Sequence, residues 1–544
     1  MNNSKLIFVT GGVMSSLGKG LAAASLGAIL QARGFSVCIR KFDPYLNIDP
    51  GTLSPYQHGE VFVTNDGAES DLDLGHYERY TGRDACSSDY LTTGRVYSDI
   101  LSRERKGEYL GSTVQVIPHI TDEIKRFIKK NDEDFDFIIT EVGGTVGDIE
   151  GLPALEAVRQ LRNEQGYHQT MFVHLTYIPN VFITGEQKTK PTQHSVKALL
   201  QAGIQPDLLL CRSSQPLHEN IKGKLALFCN VHQEDVIAAL DVTNIYRVPL
   251  NYSIEKFDER VCKHFLLNPL EHKISENWLK KWENLTKSID NPTKTINIVI
   301  FGKYVDLEDS YKSLKEAITH AAGENGVKVN IIWCNAEKSK DIVSDIKEAD
   351  AIIVPGGFGV RGTENMIKAI QYAREKKVPF LGICLGMQLA VIEILRNVAG
   401  IKNAHSTEFS ADCAKVISLM SEWIGSCGNI EKRSKTDNIG GTMRLGEYPC
   451  KLQEGSFAKQ IYGEDLINER HRHRYEFNLS EFGEALEKTG TRISGRSPDE
   501  TLTEIIEIPD HPWFVGVQFH PEFKSKPLSP HPLFCSLIRK AAKF

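Results

Sequence analysis

Short apolar runs alternate with helix-forming stretches near the start of the chain, and this alternation constrains the fold more than any other feature. An apolar run at residues 6–10 leads through a glycine-rich turn to a helix-forming stretch at 21–33, and a second apolar run follows at 36–40. This order is typical of βαβ units, in which helices cover buried parallel strands. Further apolar runs predict more strands of the same sheet at 135–140, 171–175 and 208–211.

A polar stretch at residues 253–294, which contains a predicted helix at 276–282, separates this series from a second one. The second series predicts a helix at 311–322 and strands at 296–301, 327–333, 351–354 and 378–383. Two doubly wound α/β domains explain the two series better than one continuous sheet does. We therefore predict a P-loop-type, Rossmann-like domain over residues 1–270, a linker over 271–294 and a flavodoxin-like domain over 295–544, both with mainly parallel sheets.

The composition limits the class of protein. The chain has 544 residues, of which 41% are hydrophobic and 25% charged, as in ordinary globular proteins. A net charge of -6 provides no global attraction to nucleic acid or to an acidic membrane. No apolar run reaches the roughly 18 residues that a membrane-spanning helix needs, and the first residues lack the apolar region of a signal peptide. We expect a cytoplasmic protein whose scattered cysteines are mostly small buried hydrophobes.

The glycine-rich turn at residues 11–20, named the phosphate turn below, reads GGVMSSLGKG and lies between a strand and a helix. In this context backbone N–H groups and a lysine, here Lys19, hold phosphate groups. Gly20 stands where a Ser or Thr would usually bind Mg²⁺, so carboxylates are expected to take over that role. Asp73 and Glu141 are the candidates, and the alternative for each is a solvated surface carboxylate.

A second basic element reads KTKPTQ at residues 188–193. Its lysines and threonines can hold the triphosphate of a second nucleotide through charge-assisted hydrogen bonds. Taken alone, the same pattern is also typical of an exposed basic loop.

Near the middle of the second series, an apolar strand meets a helix-forming run at Cys384, which lies between Gly382 and Gly386. A tight turn of this kind exposes a nucleophile, and the next backbone N–H can stabilise an oxyanion. The helix N-terminus also favours the thiolate form of the cysteine. We predict that Cys384 is a nucleophile, with a structural cysteine as the alternative.

Another strand-like run ends in His520-Pro521-Glu522. His520 is the predicted base and Glu522 the group that orients it. The sequence Pro-Gly-Gly-Phe-Gly at residues 355–359 follows a third predicted strand and offers a second N–H for the oxyanion. Together with Cys384, these residues predict thiol-based acyl transfer.

The motifs as a set resemble one family, the CTP synthases, over nearly the whole chain. Residues 11–20, 41–45, 57–62, 141–150 and 188–193 resemble its synthase half, and Cys384, His520 and Glu522 resemble its class I glutaminase half. The resemblance implies an amidoligase domain that binds ATP, Mg²⁺ and UTP or CTP, followed by a class I glutaminase domain.

Carried over by position, the resemblance implies a set of ligand contacts. ATP would be bound by Ser16, Leu17, Gly18, Lys19, Gly20, Leu21 and Asp73, with its base near Leu240, Asp241 and Val242, and Mg²⁺ would be bound by Asp73 and Glu141. UTP or inhibitory CTP would be bound by Ser15, Lys188, Thr189, Lys190, Pro191, Thr192, Gln193 and Lys224, while CTP alone would contact Asp148, Ile149 and Glu150. Glutamine would be bound by Gly357, Leu385, Gly386, Met387, Gln388, Glu408 and Arg474.

The implied reaction is the last step of de novo CTP biosynthesis. ATP phosphorylates the C4 oxygen of UTP, which is otherwise a poor leaving group, and ammonia cut from glutamine then displaces phosphate. Because free ammonia in neutral water is mostly ammonium, we expect enclosed delivery from Cys384 to the synthase site. The resemblance further implies activation by GTP, a homotetramer and, as an open option, filaments.

Two other functions fit parts of the pattern. A different glutamine-fed ligase, such as one that amidates a cofactor acid, would keep the phosphate turn and Cys384 but lack the loop at residues 188–193. A filament protein with a degenerate enzyme site would have lost Lys19 or Cys384, and both residues are present.

Overall fold

The computed structural model describes residues 4–181, 186–410, 412–419, 422–424, 430–432 and 443–543. The chain divides into two compact units: the first comprises Met1–Asp49 and Asp73–Thr286, and the second comprises Pro50–Leu72 and Lys287–Phe544. This division differs from the predicted boundaries in two places. Residues 50–72 group with the second unit, and most of the predicted linker groups with the first.

The strands, in chain order, are β1 (Lys5–Gly11), β2 (Val37–Asp43), β3 (Phe62–Val63), β4 (Glu69–Ser70), β5 (Tyr90–Thr92), β6 (Phe137–Val142), β7 (Thr170–Tyr177), β8 (Asn180–Val181), β9 (Glu186–Gln187), β10 (Leu208–Ser213), β11 (Val236–Leu240), β12 (Lys294–Gly302), β13 (Val327–Asn335), β14 (Ala351–Val354), β15 (Phe380–Ile383), β16 (Ala404–Ser406), β17 (Ala414–Leu419), β18 (Glu422–Ile424), β19 (Ile430–Lys432), β20 (Arg444–Leu452), β21 (Leu466–His473), β22 (Tyr475–Phe477), β23 (Arg492–Arg496), β24 (Thr503–Glu507) and β25 (Phe514–Val517).

The α-helices are α1 (Lys19–Ala32), α2 (Pro55–His58), α3 (Asp73–Thr81), α4 (Thr93–Arg105), α5 (Thr121–Ile128), α6 (Leu152–Gln165), α7 (Lys190–Gln201), α8 (Glu219–Cys229), α9 (Val248–Ile254), α10 (Phe257–His264), α11 (Glu276–Asp290), α12 (Lys312–Asn325), α13 (Ile342–Ile346), α14 (Thr363–Lys376), α15 (Leu385–Asn397), α16 (Phe457–Tyr462), α17 (Leu479–Glu487) and α18 (Pro532–Ala541). Within the described residues, none of these helices combines the length and the apolar character needed to cross a bilayer.

A seven-stranded parallel sheet forms the centre of the first unit, with the order β11-β10-β7-β1-β6-β2-β5. Its central strands are buried on both faces, and all seven residues of β2 are buried. Burial on both faces explains why the sequence shows continuous apolar runs instead of alternation. The carboxyl ends of β1, β2, β6, β7, β10 and β11 meet at one edge of the sheet, which is where ligands bind in such folds.

The helix predicted within the linker is α11, and it packs on the first unit. Trp282 is fully buried in this helix, with its ring centroid 5.4 Å from that of Tyr80 and 6.2 Å from that of Tyr246. Aromatic contacts of this kind add to the hydrophobic stabilisation of the buried ring. The polar composition that predicted a linker describes only the exposed side of α11.

The second unit contains a nine-stranded sheet with the order β13-β12-β14-β15-β25-β24-β23-β20-β21. The first five strands are parallel, and the last four continue the sheet in antiparallel pairing. Alternate residues of β12 enter two cores: Ile298 and Ile300 enter one, and Val299 and Phe301 enter the other. The two cores show that helices cover both faces of the parallel part, as predicted, whereas the antiparallel extension was not predicted from the sequence.

Residues 50–72 belong to the second unit because polar contacts hold them there. Both carboxylate oxygens of Glu60 accept hydrogen bonds from the backbone N–H of Ser313, at 3.0 and 3.1 Å, and Glu60 also contacts the Ser313 hydroxyl. Arg472 donates to Glu69 at 2.9 Å, and Arg470 donates to the carbonyl of Val63 at 3.1 Å. Hydrogen bonds to buried ionised groups are stronger than neutral ones, so this segment is firmly fixed on the second unit.

We predict that Gly386→Ala destabilises the second unit. A Cβ at position 386 would lie 2.0 Å from the carbonyl oxygen of Val354, which is backbone and cannot move aside. The expected loss in unfolding free energy is about 1–3 kcal/mol, as for other overpacked sites, measured by denaturant titration. Gly483→Ala is the matched control, because its Cβ would meet the flexible end of the Leu479 side chain rather than a rigid backbone carbonyl, so it should unfold like the wild type. Equal stability of the two variants would contradict the prediction.

Candidate active sites

The turn after β1 contains strained backbone. Val13 (φ +79°) and Ser16 (φ +56°) lie in the left-handed region, and Gly18 has φ +100° at the N-cap of α1. For a residue other than glycine this conformation costs roughly 1–3 kcal/mol, and such strain clusters at functional sites. Ser15 and Ser16 are exposed, whereas Leu17 is buried and Leu21 half-buried. The turn thus presents exposed backbone at a helix N-terminus, which is the arrangement that binds phosphate.

The position of Asp73 explains why residue 20 is glycine. A Cβ at Gly20 would lie 2.1 Å from Oδ1 of Asp73, so the carboxylate fills the space that a Ser or Thr side chain would occupy. Asp73 is the first residue of α3, which packs against α1. The structure therefore brings this predicted metal ligand to the phosphate turn.

Carboxylates and lysines form a cluster at the carboxyl edge of the first sheet. The Lys41 ammonium contacts the Asp73 carboxylate and lies 3.0 Å from Glu141 and 3.7 Å from Asp43. Glu141 is buried and also accepts a hydrogen bond from the Tyr77 hydroxyl. Burial, together with the charge of Glu141, raises the pKa of Tyr77 well above its usual value. Glu141 is therefore not a solvated surface carboxylate.

The donors at this cluster fit Mg²⁺ bound together with a nucleotide. Asp73 and Glu141 supply the hard oxygen ligands that Mg²⁺ prefers. Over the described part of the chain, no group of three or more His, Cys, Asp and Glu side chains could hold a metal ion on its own. Phosphate oxygens and water would have to complete the coordination, as is usual for Mg²⁺ at nucleotide sites.

Lys19 lies in the same cluster. Its ammonium donates to the carbonyl of Gly144 at 2.8 Å. Its stem folds over Gly11, where a Cβ would lie 2.8 Å from the lysine Cδ. Burial lowers the pKa of Lys19, although the charge of Glu141 opposes this shift. A cation held this close to the turn is suited to neutralising phosphate charge.

Arg212 lies at the same edge of the sheet, although no sequence motif predicted it there. It follows the buried part of β10 and donates to the carbonyl of Leu17 at 3.1 Å and to the Asp241 carboxylate at 2.8 Å. It thus joins the phosphate turn to the segment of Leu240, Asp241 and Val242 at the end of β11. A basic residue at the carboxyl end of a predicted strand was the available signal.

The basic loop at residues 188–193 has an exposed part. Lys188 is exposed and pairs with Glu186 at 2.7 Å, and the charge of Lys224 also acts on Glu186. Lys190 is exposed and lies 5.8 Å from the ring centroid of Phe228. Lys188, Lys190 and Lys224 can therefore reach a ligand in solvent.

The remaining loop residues are committed to the protein. Gln193 donates to the Thr189 hydroxyl at 3.0 Å, and Thr192 donates to the Thr176 hydroxyl at 3.1 Å. The predicted contacts Thr189, Thr192 and Gln193 are all buried, while Pro191 is half-buried in the first turn of α7. These side chains set the shape of the loop.

Asp148, Ile149 and Glu150 lie in an exposed turn after β6, and Ile149 is 80% exposed. The turn is anchored to the phosphate site, because the N–H of Val146 donates to the carbonyl of Gly11 at 2.8 Å. The structure brings these residues to the same edge of the sheet as the phosphate turn.

Cys384 occupies the predicted tight turn between β15 and α15. Its backbone has φ +52° and ψ −103°, and its N–H donates to the carbonyl of Val517 at 2.7 Å. A Cβ at Gly382 would lie 2.7 Å from the backbone carbon of Gly386, so both glycines are required by close packing. The strained turn directs the thiol out of the sheet edge.

His520 and Glu522 lie just after β25, which is the strand next to β15. The Nδ1 of His520 lies 2.8 Å from Oε1 of Glu522, and the imidazole ring stacks on Phe523 with centroids 5.1 Å apart. A Cβ at Gly356 would lie 2.7 Å from Cε1 of His520 and 3.6 Å from Cβ of Cys384. The side chains of His520 and Cys384 are therefore close to each other, next to Gly356. Burial favours neutral imidazole, but the charges of Glu522 and Cys384 raise the pKa of His520 to about 10.

Cys384, His520 and Glu522 form a triad of side chains. A cavity of about 350 Å³ lies beside them in the second unit. Cys384, His520 and Glu522 line it, together with Gly357, Glu408 and Arg474 from the predicted glutamine contacts. The segment of residues 50–61 also contributes lining, with Gly51, Leu53, Pro55, Glu60 and Val61. The motif at residues 57–62, which the sequence analysis assigned to the synthase half, therefore lies in the second unit. In the chain, this segment is inserted between β2 and α3.

The other predicted glutamine contacts differ in accessibility. Glu408 accepts a hydrogen bond from the N–H of Gly359 at 2.6 Å, and burial raises the pKa of Glu408. The side chains of Leu385 and Met387 are buried in the hydrophobic core. For these two residues and Gly386, only the backbone N–H groups at the start of α15 can face a ligand. Gln388 is buried, and its amide donates to the carbonyl of Tyr475 at 2.9 Å.

Comparisons with known proteins match both halves of the chain to family models. Residues 5–267 match the family model for the CTP synthase N-terminus, and residues 306–540 match that for class-I glutamine amidotransferase. A CTP synthase of Paramagnetospirillum magneticum is 57% identical over 544 residues, covering 99% of both chains. A CTP synthase of Bartonella henselae is 56% identical over 537 residues, covering 98% of both chains.

A solved structure of the glutaminase domain of Trypanosoma brucei CTPS, with bound acivicin, is 34% identical. It matches 46% of this chain and 94% of its own with a TM-score of 0.41. The full-length similarity to the two curated enzymes, rather than this partial match, shows the family. The chain belongs to the CTP synthase family.

Proposed function

We propose that this chain catalyses the ATP-dependent amination of UTP to CTP with ammonia from glutamine, using the residues described above. Family membership over the full length supports this reaction over that of another glutamine-fed ligase. The observation that carries the residue assignment is the presence of two distinct centres. One is the cluster of Lys19, Asp73 and Glu141, and the other is the triad of Cys384, His520 and Glu522.

At the first centre, the chain's own residues position and neutralise charge. The backbone of residues 15–20 and the Lys19 ammonium would hold the phosphates of ATP, and Arg212 would hold the turn in place. Lys188, Lys190 and Lys224 would hold the triphosphate of UTP. Mg²⁺ on Asp73 and Glu141 would neutralise further charge during phosphoryl transfer.

The reaction at this centre has two steps. The C4 oxygen of UTP attacks the γ-phosphorus of ATP and ADP leaves, which turns the oxygen into part of a phosphate leaving group. Ammonia then attacks C4, phosphate leaves with the former C4 oxygen, and one proton is lost. Catalysis of phosphoryl transfer rests on positioning and on charge neutralisation, which are the functions that Lys19 and the carboxylate cluster can supply.

At the second centre, the Cys384 sulfur attacks the side-chain amide carbon of glutamine. The N–H groups of Leu385 and Gly357 would stabilise the resulting oxyanion. His520, held by Glu522, gives its proton to the departing ammonia and then takes one from the water that hydrolyses the thioester. Glu408 and Arg474 have the charges needed to hold the amino and carboxylate groups of glutamine.

Regulation and assembly follow the family. GTP would activate the glutaminase, CTP would inhibit at the UTP site through the turn of Asp148, Ile149 and Glu150, and the working form would be a cytoplasmic homotetramer. The exposed position of this turn beside the phosphate site supports a role in ligand contact.

Replacing Cys384 by alanine should abolish glutamine-dependent CTP formation and preserve synthesis from ammonium chloride. The thiolate is needed only to form the glutamyl thioester, so UTP phosphorylation should continue. CTP formation from UTP and ATP, followed by absorbance with each nitrogen source, tests this. The residual rate should rise with pH as free ammonia increases. Loss of both activities in a folded protein would refute the assignment of separate centres.

Replacing Lys19 by alanine should reduce CTP formation about 10³-fold or more with either nitrogen source, because phosphate charge must be neutralised before any amine attacks. Glutamine hydrolysis by Cys384 requires no such charge, so ATP-independent glutaminase activity should persist. Lys106→Ala is a matched control, since Lys106 is exposed at the end of α4. Turnover like that of this control would remove Lys19 from the phosphate site.

Replacing Glu522 by glutamine should move the alkaline limit of glutaminase activity to lower pH. In the wild type, the His520 imidazolium persists until the pH approaches its pKa of about 10. The pKa is this high because the charges of Glu522 and Cys384 outweigh the effect of burial. Without the carboxylate the pKa falls, by roughly 1–3 units for loss of a close opposite charge, and the imidazolium is lost earlier as pH rises. Glutamate release measured against pH tests this, with ammonia-dependent synthesis as the control. An unmoved alkaline limit would show that Glu522 does not set the charge of His520.

A further inference from the structure

Gln518 contacts the sulfur of the predicted nucleophile. This residue follows β25, is fully buried, and its Nε2 lies 3.7 Å from Sγ of Cys384. Its backbone N–H donates to the carbonyl of Glu504 at 2.9 Å, which fixes the main chain at this point. The side chain therefore has little freedom to move away from the sulfur.

The orientation of the Gln518 amide is set by Gln388. The Nε2 of Gln388 donates to Oε1 of Gln518 at 3.2 Å and to the carbonyl of Tyr475 at 2.9 Å. A carboxamide oxygen only accepts hydrogen bonds and its nitrogen only donates. Because the oxygen of Gln518 faces a donor, the nitrogen must face Sγ. The order Gln388, Gln518, Cys384 is thus a chain of hydrogen bonds with one direction.

A donor at this position suits the charged form of the sulfur. The neutral Cys384 thiol can donate to the carbonyl of Arg472, whose oxygen lies 3.9 Å from Sγ. A thiolate cannot donate, and it gains from an N–H directed at it, because hydrogen bonds to ionised groups are stronger than those between neutral groups. His520 and Gln518 then act on the same sulfur, one through charge and the other through a neutral amide.

We propose that Gln518 is a further catalytic residue of the glutaminase centre, which donates a hydrogen bond to the Cys384 thiolate and is oriented for this by Gln388. The sulfur loses its negative charge when it bonds to the amide carbon of glutamine. It regains that charge when water has attacked the thioester and the carbon–sulfur bond breaks to release glutamate. Gln518 stabilises the sulfur at both ends of this cycle. The proposal rests on Cys384 being the nucleophile.

The proposal adds a role to Gln388. The resemblance assigned Gln388 to glutamine binding, yet its amide nitrogen is engaged by Gln518 and Tyr475. Under this proposal Gln388 also positions the sulfur, acting through Gln518, beside the glutamine contact that the resemblance implies.

The test is the pH dependence of Cys384 alkylation in the full-length protein. Iodoacetamide labelling of the Cys384 peptide is followed by mass spectrometry across the neutral and alkaline range, which separates this residue from the other cysteines. The midpoint is the pH at which Cys384 alkylation reaches half of its maximal rate. Because Gln518→Leu removes a hydrogen bond to a charged group, it should raise this midpoint by about one pH unit. Glutamine hydrolysis should fall roughly tenfold or more, since a comparable share of stabilisation is lost. Ammonia-dependent CTP synthesis should be unchanged.

Gln371→Leu is the matched control, because Gln371 lies on α14 of the same unit and its side-chain amide donates to Glu375 at 2.8 Å. It should leave the alkylation midpoint unchanged. Gln388→Leu should raise the midpoint, because the Gln518 amide is then free to rotate. A higher KM for glutamine in this variant with an unmoved midpoint would contradict the positioning role.

Gln518→Glu keeps an oxygen that accepts from Gln388, replaces the donor by a second oxygen and adds a negative charge beside the sulfur, so it remains informative if the leucine variant does not fold. Its midpoint should rise at least as far as that of Gln518→Leu. A wild-type midpoint in either folded variant would overturn the proposal. The assignment of Cys384 fails separately: in that case, alkylation of Cys384 in the wild type would leave glutamine-dependent synthesis intact.

Discussion

Close approach at two glycines is the constraint on which both centres depend. At Gly20, the missing Cβ leaves room for the Asp73 carboxylate, 2.1 Å from where that atom would be. At Gly386, the missing Cβ lets the start of α15 approach the Val354 carbonyl oxygen, which lies 2.0 Å from where that Cβ would be. In each case the helix is the next one along the chain after a central parallel strand, and the helix N-terminus faces the reacting groups. A side chain at position 20 would clash with Asp73 of α3, and one at position 386 would clash with Val354 at the end of β14.

The two centres handle charge in different ways. The first collects three carboxylates and two lysines at the edge of its sheet, so that the opposite charges offset one another and burial becomes tolerable. The second relies on one imidazole whose charge is maintained by Glu522 and Cys384 despite burial. A charged cluster suits polyphosphate chemistry, whereas a single imidazole beside a sulfur suits proton transfer during acyl transfer.

The segment of residues 50–72 shows that chain order and spatial organisation differ in this protein. Hydrogen bonds from Ser313 to Glu60 and from Arg472 of β21 to Glu69 hold the segment on the second unit. There it lines the cavity next to Cys384. Sequence position places it within the first half, between β2 and α3. Contacts of this kind involve residues hundreds of positions apart, and no local pattern in the sequence records them.

Local chemistry allowed the sequence alone to predict the parallel sheet of the first unit, the parallel part of the second sheet, the phosphate turn, the cysteine turn and the residues proposed as the catalytic triad. Apolar runs, glycines and strand-to-helix turns act within a few residues, so their meaning can be read without knowing the fold. Only the tertiary structure decided that Asp73 replaces a side chain at Gly20, that Arg212 supports the phosphate turn, and that Gln518 faces the sulfur. It also decided which residues of the loop at 188–193 are buried and which are exposed. The reason is physical: hydrogen-bond partners and burial are set by strands that are distant in sequence and adjacent in the sheet.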